Sequence, residues 1–285
     1  MIPAAFDYFR PQTLEEAVRL LARHGEEAKV LAGGHSLIPA MKLRLAQPST
    51  IVDIGRIADL NYIREENAKI AIGAMTTHYE IESSAMLRSK CPLLTEVAPQ
   101  IGDVQVRNRG TVGGSLVHAD PAADWPAAML ALEAEMELVG PDGRRTVKAG
   151  DFFVEMMQTA VKPNEILCEI RVPPTAKSVA YVKFAQKASG FAIAGVAAVV
   201  DNLKKAVQVG VAGVAAKPYR ATEVETALRG KLLNRDAVRE AASKAAEGVE
   251  PLNDMHASGE FRLHLARVNA RRALELAVAR SSATD

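Results

Sequence analysis

The 285-residue chain is poor in cysteine and in aromatic side chains: it has two cysteines, one tryptophan and 5% aromatic residues. Cys91 and Cys168 can build no disulfide framework and fit a reducing compartment. They also cannot hold an iron–sulfur cluster alone, because a 2Fe–2S centre needs four protein ligands. So few aromatics leave no stacking platform for a nucleic-acid single strand. Charge of one sign is lacking too. Thirty-five basic residues stand against 34 acidic ones, for a net charge of +1, which excludes a broad basic footprint for nucleic acid. No apolar run approaches the ~18 residues of a membrane span. The opening Met1-Ile2-Pro3-Ala4-Ala5-Phe6-Asp7 has neither the charged nor the apolar region of a signal peptide, so a cytoplasmic protein is expected. Three common signatures are absent as well: G-x-G-x-x-G after a strand, G-x-x-x-x-G-K-S/T, and the G-x-S-x-G elbow.

Hydrophobic residues make up 48% and charged residues 24%, the ordinary mix of a globular protein. The length suggests two domains, the first subdivided. In residues 1–57 strands and helices alternate. A strand near Phe6 to Phe9 precedes the capping-box sequence Thr13-Leu14-Glu15-Glu16. The helix it opens buries Leu14, Ala17, Val18 and Leu21 and stops at Gly25. Strands follow at Lys29 to Ala32 and Ile51 to Ile54, with Ser36 placed to cap a helix between them.

Residues 58–175 read as a second lobe. Strands are expected at Lys69 to Ile72, Glu133 to Val139, Arg145 to Lys148 and Ile166 to Val172, with a second capping box at Thr77 to Glu80. Alternation of Glu133, Glu135 and Glu137 with Ala134, Met136 and Leu138 predicts one wet face, and Pro141-Asp142-Gly143 predicts a hairpin. Pro173-Pro174 marks a domain boundary. Residues 176–285 then offer strands at Ala180 to Phe184, Ala192 to Val200 and Ala206 to Val214, a turn at Asp201-Asn202, and helices from about Thr222, Asp236 and Phe261. The fold class is therefore α+β. Arg262, Arg267, Arg271 and Arg272 on the last helix read as a solvated face, with a docking surface for a partner as the alternative.

Two loops carry the chemistry. Ala32-Gly33-Gly34-His35-Ser36 and Thr111-Val112-Gly113-Gly114-Ser115 each place a double glycine just before a hydroxyl. Glycine pairs let a backbone approach an anion and aim its N–H groups together. Two such loops could grip the two phosphates of a dinucleotide from opposite sides; the alternative is two tight turns with no ligand. After the second loop, His118, Asp120 and Asp124 are too few and too close-spaced to make a good zinc site. Asp120-Pro121 reads as a turn or cap, and Asp124 as the N-cap of the next helix or as a carboxylate accepting from a ribityl or ribose hydroxyl. His35 and His78 read as structural histidines, and both cysteines as inert thiols.

Taken together, the segments Ala32-Gly33-Gly34-His35-Ser36-Leu37 and Arg107-Asn108-Arg109-Gly110-Thr111-Val112-Gly113-Gly114-Ser115, with His118-Ala119-Asp120-Pro121 and Asp124, resemble the flavin loops of the molybdenum hydroxylase family. More narrowly they resemble the medium subunit of aerobic carbon monoxide dehydrogenase and its relatives. Ala257 to Arg262 is similar to the start of that family's last helix, so the resemblance spans nearly the whole chain. It implies a two-lobed FAD-binding domain of the PCMH type, residues 1–175 with lobes of about 1–57 and 58–175. A smaller domain of antiparallel sheet and helices, residues 176–285, would follow.

By the same resemblance, Ala32 to Ser36, Leu37 and Thr111 to Ser115 hold FAD. Asp124 binds its polyol or ribose side, and Leu167 and Lys183 are further flavin contacts. The implied activity is electron transfer. A large molybdenum-pterin subunit oxidises substrate, two 2Fe–2S clusters in a small subunit relay the electrons, and FAD here passes them to an external acceptor. The implied assembly is a dimer of heterotrimers. No catalytic side chain and no metal ligand is expected on this chain, because the redox chemistry belongs to the cofactor. Relatives often carry Gly-Asp-Tyr near the flavin, where this chain has Ser189-Gly190-Phe191. The extra iron–sulfur insertion of the hydroxybenzoyl-CoA reductases does not fit a chain with two cysteines. Rival readings are a stand-alone flavin oxidoreductase, like the enolpyruvyl-glucosamine reductases, and a flavin-free assembly module.

Overall fold

The computed structural model describes residues 1–175, 178–201 and 205–282. The first lobe holds β1 (Asp7–Phe9), α1 (Leu14–His24), β2 (Ala28–Leu31), α2 (Leu37–Lys42) and β3 (Thr50–Asp53). Its three strands are parallel in the order β1-β3-β2. Helix α1 buries Leu14, Ala17, Val18 and Leu21, one stripe at helical spacing, and Gly25 ends it with φ 59°. The expected capping box is half made. The Thr13 hydroxyl accepts from the Glu16 N–H at 3.2 Å, but the Glu16 carboxylate accepts from Gln12 N–H at 2.9 Å instead of reaching back to Thr13.

The second lobe contains β4 (Ile63–Glu66), β5 (Lys69–Gly73), α3 (His78–Ser83), α4 (Ala85–Lys90), α5 (Pro92–Val97), α6 (Val104–Arg109), α7 (Val112–His118) and α8 (Trp125–Ala131). It continues with β6 (Glu135–Gly140), β7 (Gly143–Lys148), α9 (Ala149–Phe152), β8 (Phe153–Glu155), β9 (Gln158–Thr159) and β10 (Ile166–Val172). Five strands form an antiparallel sheet in the order β4-β5-β10-β6-β7. The Thr77–Glu80 capping box is complete: the Glu80 carboxylate accepts from Thr77 N–H at 2.7 Å.

The wet face expected of β6 is not wet at its centre. Glu137 is buried and stands opposite Glu169 of β10. It forms ion pairs with Arg144 and, at 2.8 Å, with Arg171. The first lobe covers this face, since Ile166 and Cys168 share a core with Leu14, Val18 and Leu21. A carboxylate under such a lid persists only when paired.

The C-terminal part comprises β11 (Val179–Ala185), β12 (Ala192–Asp201), β13 (Ala206–Ala212), β14 (Tyr219–Arg220), α10 (Thr222–Leu228), α11 (Arg235–Ala242) and α12 (Gly259–Ser282). Its strands form an antiparallel sheet in sequence order. The turn expected at Asp201-Asn202 sits at the edge of the described residues, with Asn202 outside them. Both faces of this sheet are covered. Tyr181, Ala197 and Val199 join the core of Trp125 and Met129, whereas Ala180, Val196 and Ala198 pack with Leu265, Ala266 and Leu274 of α12. A strand buried on both sides reads as a continuous apolar run, as β12 does.

The last helix is not a uniformly solvated basic face. Arg262 is buried and donates to the carbonyls of Ile193 (3.0 Å) and Gly213 (2.5 Å) and to Asp254 (2.7 Å). Of these four arginines, Arg267 and Arg272 are exposed and Arg271 is half-buried. An Arg262→Met variant should lose about 3 kcal/mol in urea unfolding, because two buried carbonyls lose their donor. A loss below 1 kcal/mol would mean that these contacts contribute nothing net.

Candidate functional site

The two glycine loops come from different lobes and touch. The first follows β2; the second runs from the end of α6 into α7. A Cβ at Gly33 would lie 2.3 Å from Arg109 O and 2.9 Å from Gly110 Cα, and one at Gly114 would lie 3.4 Å from the Ala32 Cβ. The absence of side chains at these positions allows the contact. Gly34 has φ +82°, a backbone geometry that disfavours any side chain.

The loops differ in their free donors. The N–H groups of Gly33, Gly34, His35, Ser36 and Leu37 donate to no acceptor among the described residues. They are a run of open amides on partly exposed backbone. In the second loop the donors after Thr111 are already used, and among the described residues the Thr111 N–H alone of this loop has no acceptor. Val112 N–H bonds Thr76 O (3.0 Å), Gly113 N–H bonds Ala74 O (2.9 Å), Gly114 N–H bonds the Thr111 hydroxyl (3.1 Å) and Ser115 N–H bonds Thr111 O (3.0 Å). Two opposed amide cradles are thus not what is built. One run of open amides rests against a loop whose amides from Val112 to Ser115 are consumed by the cap of α7 and by the Ala74–Thr77 segment. The second loop offers the Ser115 hydroxyl and its packing surface. Ser36 occupies the N-cap position of α2 but makes no capping bond, which leaves its exposed hydroxyl uncommitted.

Asp124 stands before α8 and likewise makes no side-chain cap, contrary to that expectation. Its carboxylate is 5% exposed and points across to β11. Tyr181 donates to Oδ1 at 2.6 Å, and Lys183 Nζ lies 2.9 Å from Oδ1 and 3.0 Å from Oδ2. Lys183 also donates to Gln100 O at 2.8 Å. Burial pushes the Asp124 carboxyl upward in pKa, while Lys183 and the Tyr181 hydroxyl hold it down. Two residues singled out far apart in the sequence are therefore partners across the seam between α8 and the C-terminal sheet. Tyr181 was not singled out, and only its spacing of two from Lys183 on one strand could have signalled it. Leu167 lies in the core of the second lobe, 4% exposed and opposite Leu138 on β6, so only its main chain is available to a ligand.

The remaining candidates are structural. Asp120 accepts from Ala122 N–H at 2.8 Å, the turn expected of Asp-Pro. Among the described residues no group of three or more His, Cys, Asp or Glu could hold a metal ion. Burial raises the pKa of Cys91 to about 11 and that of Cys168 to about 12, as befits unreactive thiols. His78 supports the second loop from below. Its Nδ1 accepts from the Trp125 indole at 3.1 Å and its backbone N–H donates to Gly110 O at 3.0 Å. Burial, with smaller effects from His35 and Arg107, lowers its pKa to about 4.

The unfolded chain binds this proton near pH 6.5, so His78 favours the fold above that pH. The advantage is lost as the pH falls toward 4, by about 3 kcal/mol. Urea unfolding of wild type and His78→Asn at pH 7 and pH 4 should show the difference between them shrinking by that amount. A constant difference would place the protonated imidazole in a solvated setting.

A cavity of about 480 Å³ in the first lobe is lined by Glu26, Glu27, Lys29, Leu37 and Pro48. It reaches the glycine loops only through Leu37. No described helix is long and apolar enough to cross a membrane.

Comparison with known proteins adds the family. Residues 4–175 match the FAD binding domain in molybdopterin dehydrogenase, and residues 179–277 match the CO dehydrogenase flavoprotein C-terminal domain. The chain is 42% identical to the carbon monoxide dehydrogenase medium chain of Hydrogenophaga pseudoflava, over 98% of this chain and 99% of that one. It is 30% identical to the xanthine dehydrogenase FAD-binding subunit of Escherichia coli O157:H7, over 95% and 96%. A solved structure of the Hydrogenophaga pseudoflava carbon monoxide dehydrogenase, in a form lacking the Mo-pyranopterin moiety, contains a chain that superposes with a TM-score of 0.94 at 43% identity. The match covers 98% of this chain and 99% of that one.

Proposed function

Since the chain belongs to the FAD-binding medium-subunit family of the molybdenum hydroxylases, we propose that it carries one FAD between its two lobes and relays electrons through it to an external acceptor. The open amides of Gly33 to Leu37, set against the Gly110–Ser115 loop, support this reading most directly. A run of convergent N–H groups suits a pyrophosphate. The hydroxyls of Ser36 and Ser115 lie on the same two loops. Asp124 and Lys183 are the polar pair for the polyol and ring end, and Leu167 offers its main chain. The cofactor supplies redox chemistry when bound. The residues around it bind, orient and set local charge, and none need act as acid or base.

The partners we propose are a large subunit with the molybdenum-pterin cofactor and a small subunit with two 2Fe–2S clusters, assembled as a dimer of heterotrimers. Two buried cysteines leave no cluster ligands on this chain. The functional division is residues 1–175 for FAD and 176–285 for closing the site from the side of β11. The substrate is selected on another chain, consistent with relatives named for carbon monoxide and for xanthine.

Purified protein should be yellow and carry about one FAD per chain, or take it up when FAD is added. A chain that stays colourless in excess FAD would eliminate the proposal and favour an assembly module. Expression beside its partner chains should give a complex containing molybdenum and iron. Isolation as a lone yellow protein under those conditions would favour a stand-alone flavin oxidoreductase.

A further inference from the structure

We propose that Tyr181, seated by Gly195, is a positioning residue of the cofactor site, acting through Asp124. The inference rests on the FAD reading above. Tyr181 is 3% exposed, yet its hydroxyl reaches across the seam to Asp124 Oδ1 at 2.6 Å. The reach depends on a glycine in the neighbouring strand. A Cβ at Gly195 would lie 2.3 Å from the Tyr181 hydroxyl oxygen and 3.1 Å from its ring. Gly195 pairs with Lys183 in the β11–β12 register. The strand thus omits a side chain at the one place where the phenol must pass.

Lys183 alone already satisfies the charge of Asp124, lying within 3.0 Å of both oxygens. A second donor on Oδ1 is unnecessary for neutralisation. It fixes the plane of the carboxylate, because two donors from one strand at different heights leave a single orientation. Tyr181 is itself held at its backbone, where its N–H donates to Glu96 at 3.0 Å. Asp124 follows the second glycine loop by nine residues and opens α8, and the neighbouring Ala122 and Pro121 carbonyls bond to Ala192 and Gly213 N–H of the C-terminal sheet. The carboxylate offered to the cofactor is therefore oriented from the C-terminal sheet and not by its own lobe. A freely turning carboxylate would present its lone pairs to a ligand hydroxyl only part of the time.

The test is a double-mutant cycle on FAD binding and flavin potential, using full-length protein. Tyr181→Phe should raise the FAD dissociation constant at least tenfold. It should also shift the midpoint potential of bound flavin downward, since a carboxylate without the phenol donor concentrates more negative charge. In an Asp124→Asn background the same Phe substitution should change neither quantity. Gly195→Ala leaves every functional group in place but displaces the phenol, and it should reproduce the weakened binding, so it serves if Tyr181→Phe folds poorly. Unchanged affinity and potential in a folded Tyr181→Phe protein overturn the proposal, even if its melting temperature falls. An equal effect with and without Asp124 overturns it as well. Failure of the wild type to bind FAD would overturn the FAD reading itself, a different result.

Discussion

Replacing Gly114 by valine is expected to weaken FAD binding at least ~100-fold while leaving the secondary structure and the two lobes intact. The position is partly buried between the loops, not in the core. Its Cβ would sit 3.4 Å from the Ala32 Cβ and 2.8 Å from the Thr111 hydroxyl. Valine adds two methyl groups beyond that Cβ. They must either push the first loop away or displace Thr111 from capping α7. Loss of the cap alone costs about 1 kcal/mol, which the fold tolerates. Displacing the first loop turns the open amides of Gly33 to Leu37 away from one another, and an anion site built from aligned N–H groups fails when the alignment does. Gly150→Ala is the control, because nothing lies within 4 Å of its added Cβ. Fluorescence titration of the apoprotein with FAD measures the effect. Near-wild-type affinity in a folded Gly114→Val protein would remove the loop contact from the binding site.

The second large effect is expected at Lys183. Lys183→Met leaves the Asp124 carboxylate buried beside a phenol but without a countercharge. Breaking a buried ion pair from one side typically costs about 3–5 kcal/mol, and here the cost falls on the seam that joins the C-terminal sheet to α8. The double variant Asp124→Asn/Lys183→Met should recover much of that loss, because no unpaired charge remains. The sign with pH follows from the groups involved. Burial already raises the Asp124 pKa, and Lys183 is the largest influence holding it down. Without Lys183 the carboxyl moves further up, and the folded form takes up a proton more readily than the unfolded chain. The deficit of Lys183→Met should therefore shrink as the pH is lowered. Urea unfolding at neutral and acid pH reads both effects, and a deficit that grows on acidification would contradict this assignment of charge.

Much of the fold was legible because it follows from local rules. The stripe of Leu14, Ala17, Val18 and Leu21, the stop at Gly25, the complete cap at Thr77 and the β6–β7 hairpin all depend on residues within a few positions of one another. Strand β4 and helices α4 and α5 were not anticipated, being short and weakly periodic. The misreadings share one cause. Glu137 looked solvent-facing, Arg262 looked like part of a wet stripe, and for Asp124 a cap stood beside the ligand carboxylate as an alternative. Each is covered by an element distant in the chain, and burial made each take a partner: Glu137 within its own sheet, Arg262 and Asp124 across to the C-terminal sheet. The alternation of Glu133, Glu135 and Glu137 describes a strand with one polar face, but it carries no information about whether another lobe covers that face.

By itself the sequence determined the family, the α+β class and the paired glycine loops. Those properties reside in residue identity and short-range spacing. The tertiary structure decided that the loops meet, that the first keeps a run of five open amides while those from Val112 to Ser115 are used, and that Asp124 answers to Lys183 and Tyr181 from another sheet. These depend on which backbone donors are already spent and on which side chains fall within 3 Å across a seam. Such facts arise only when segments separated by some 60 to 80 positions are packed together, and desolvation then leaves each polar group to find its partner or stay open for a ligand.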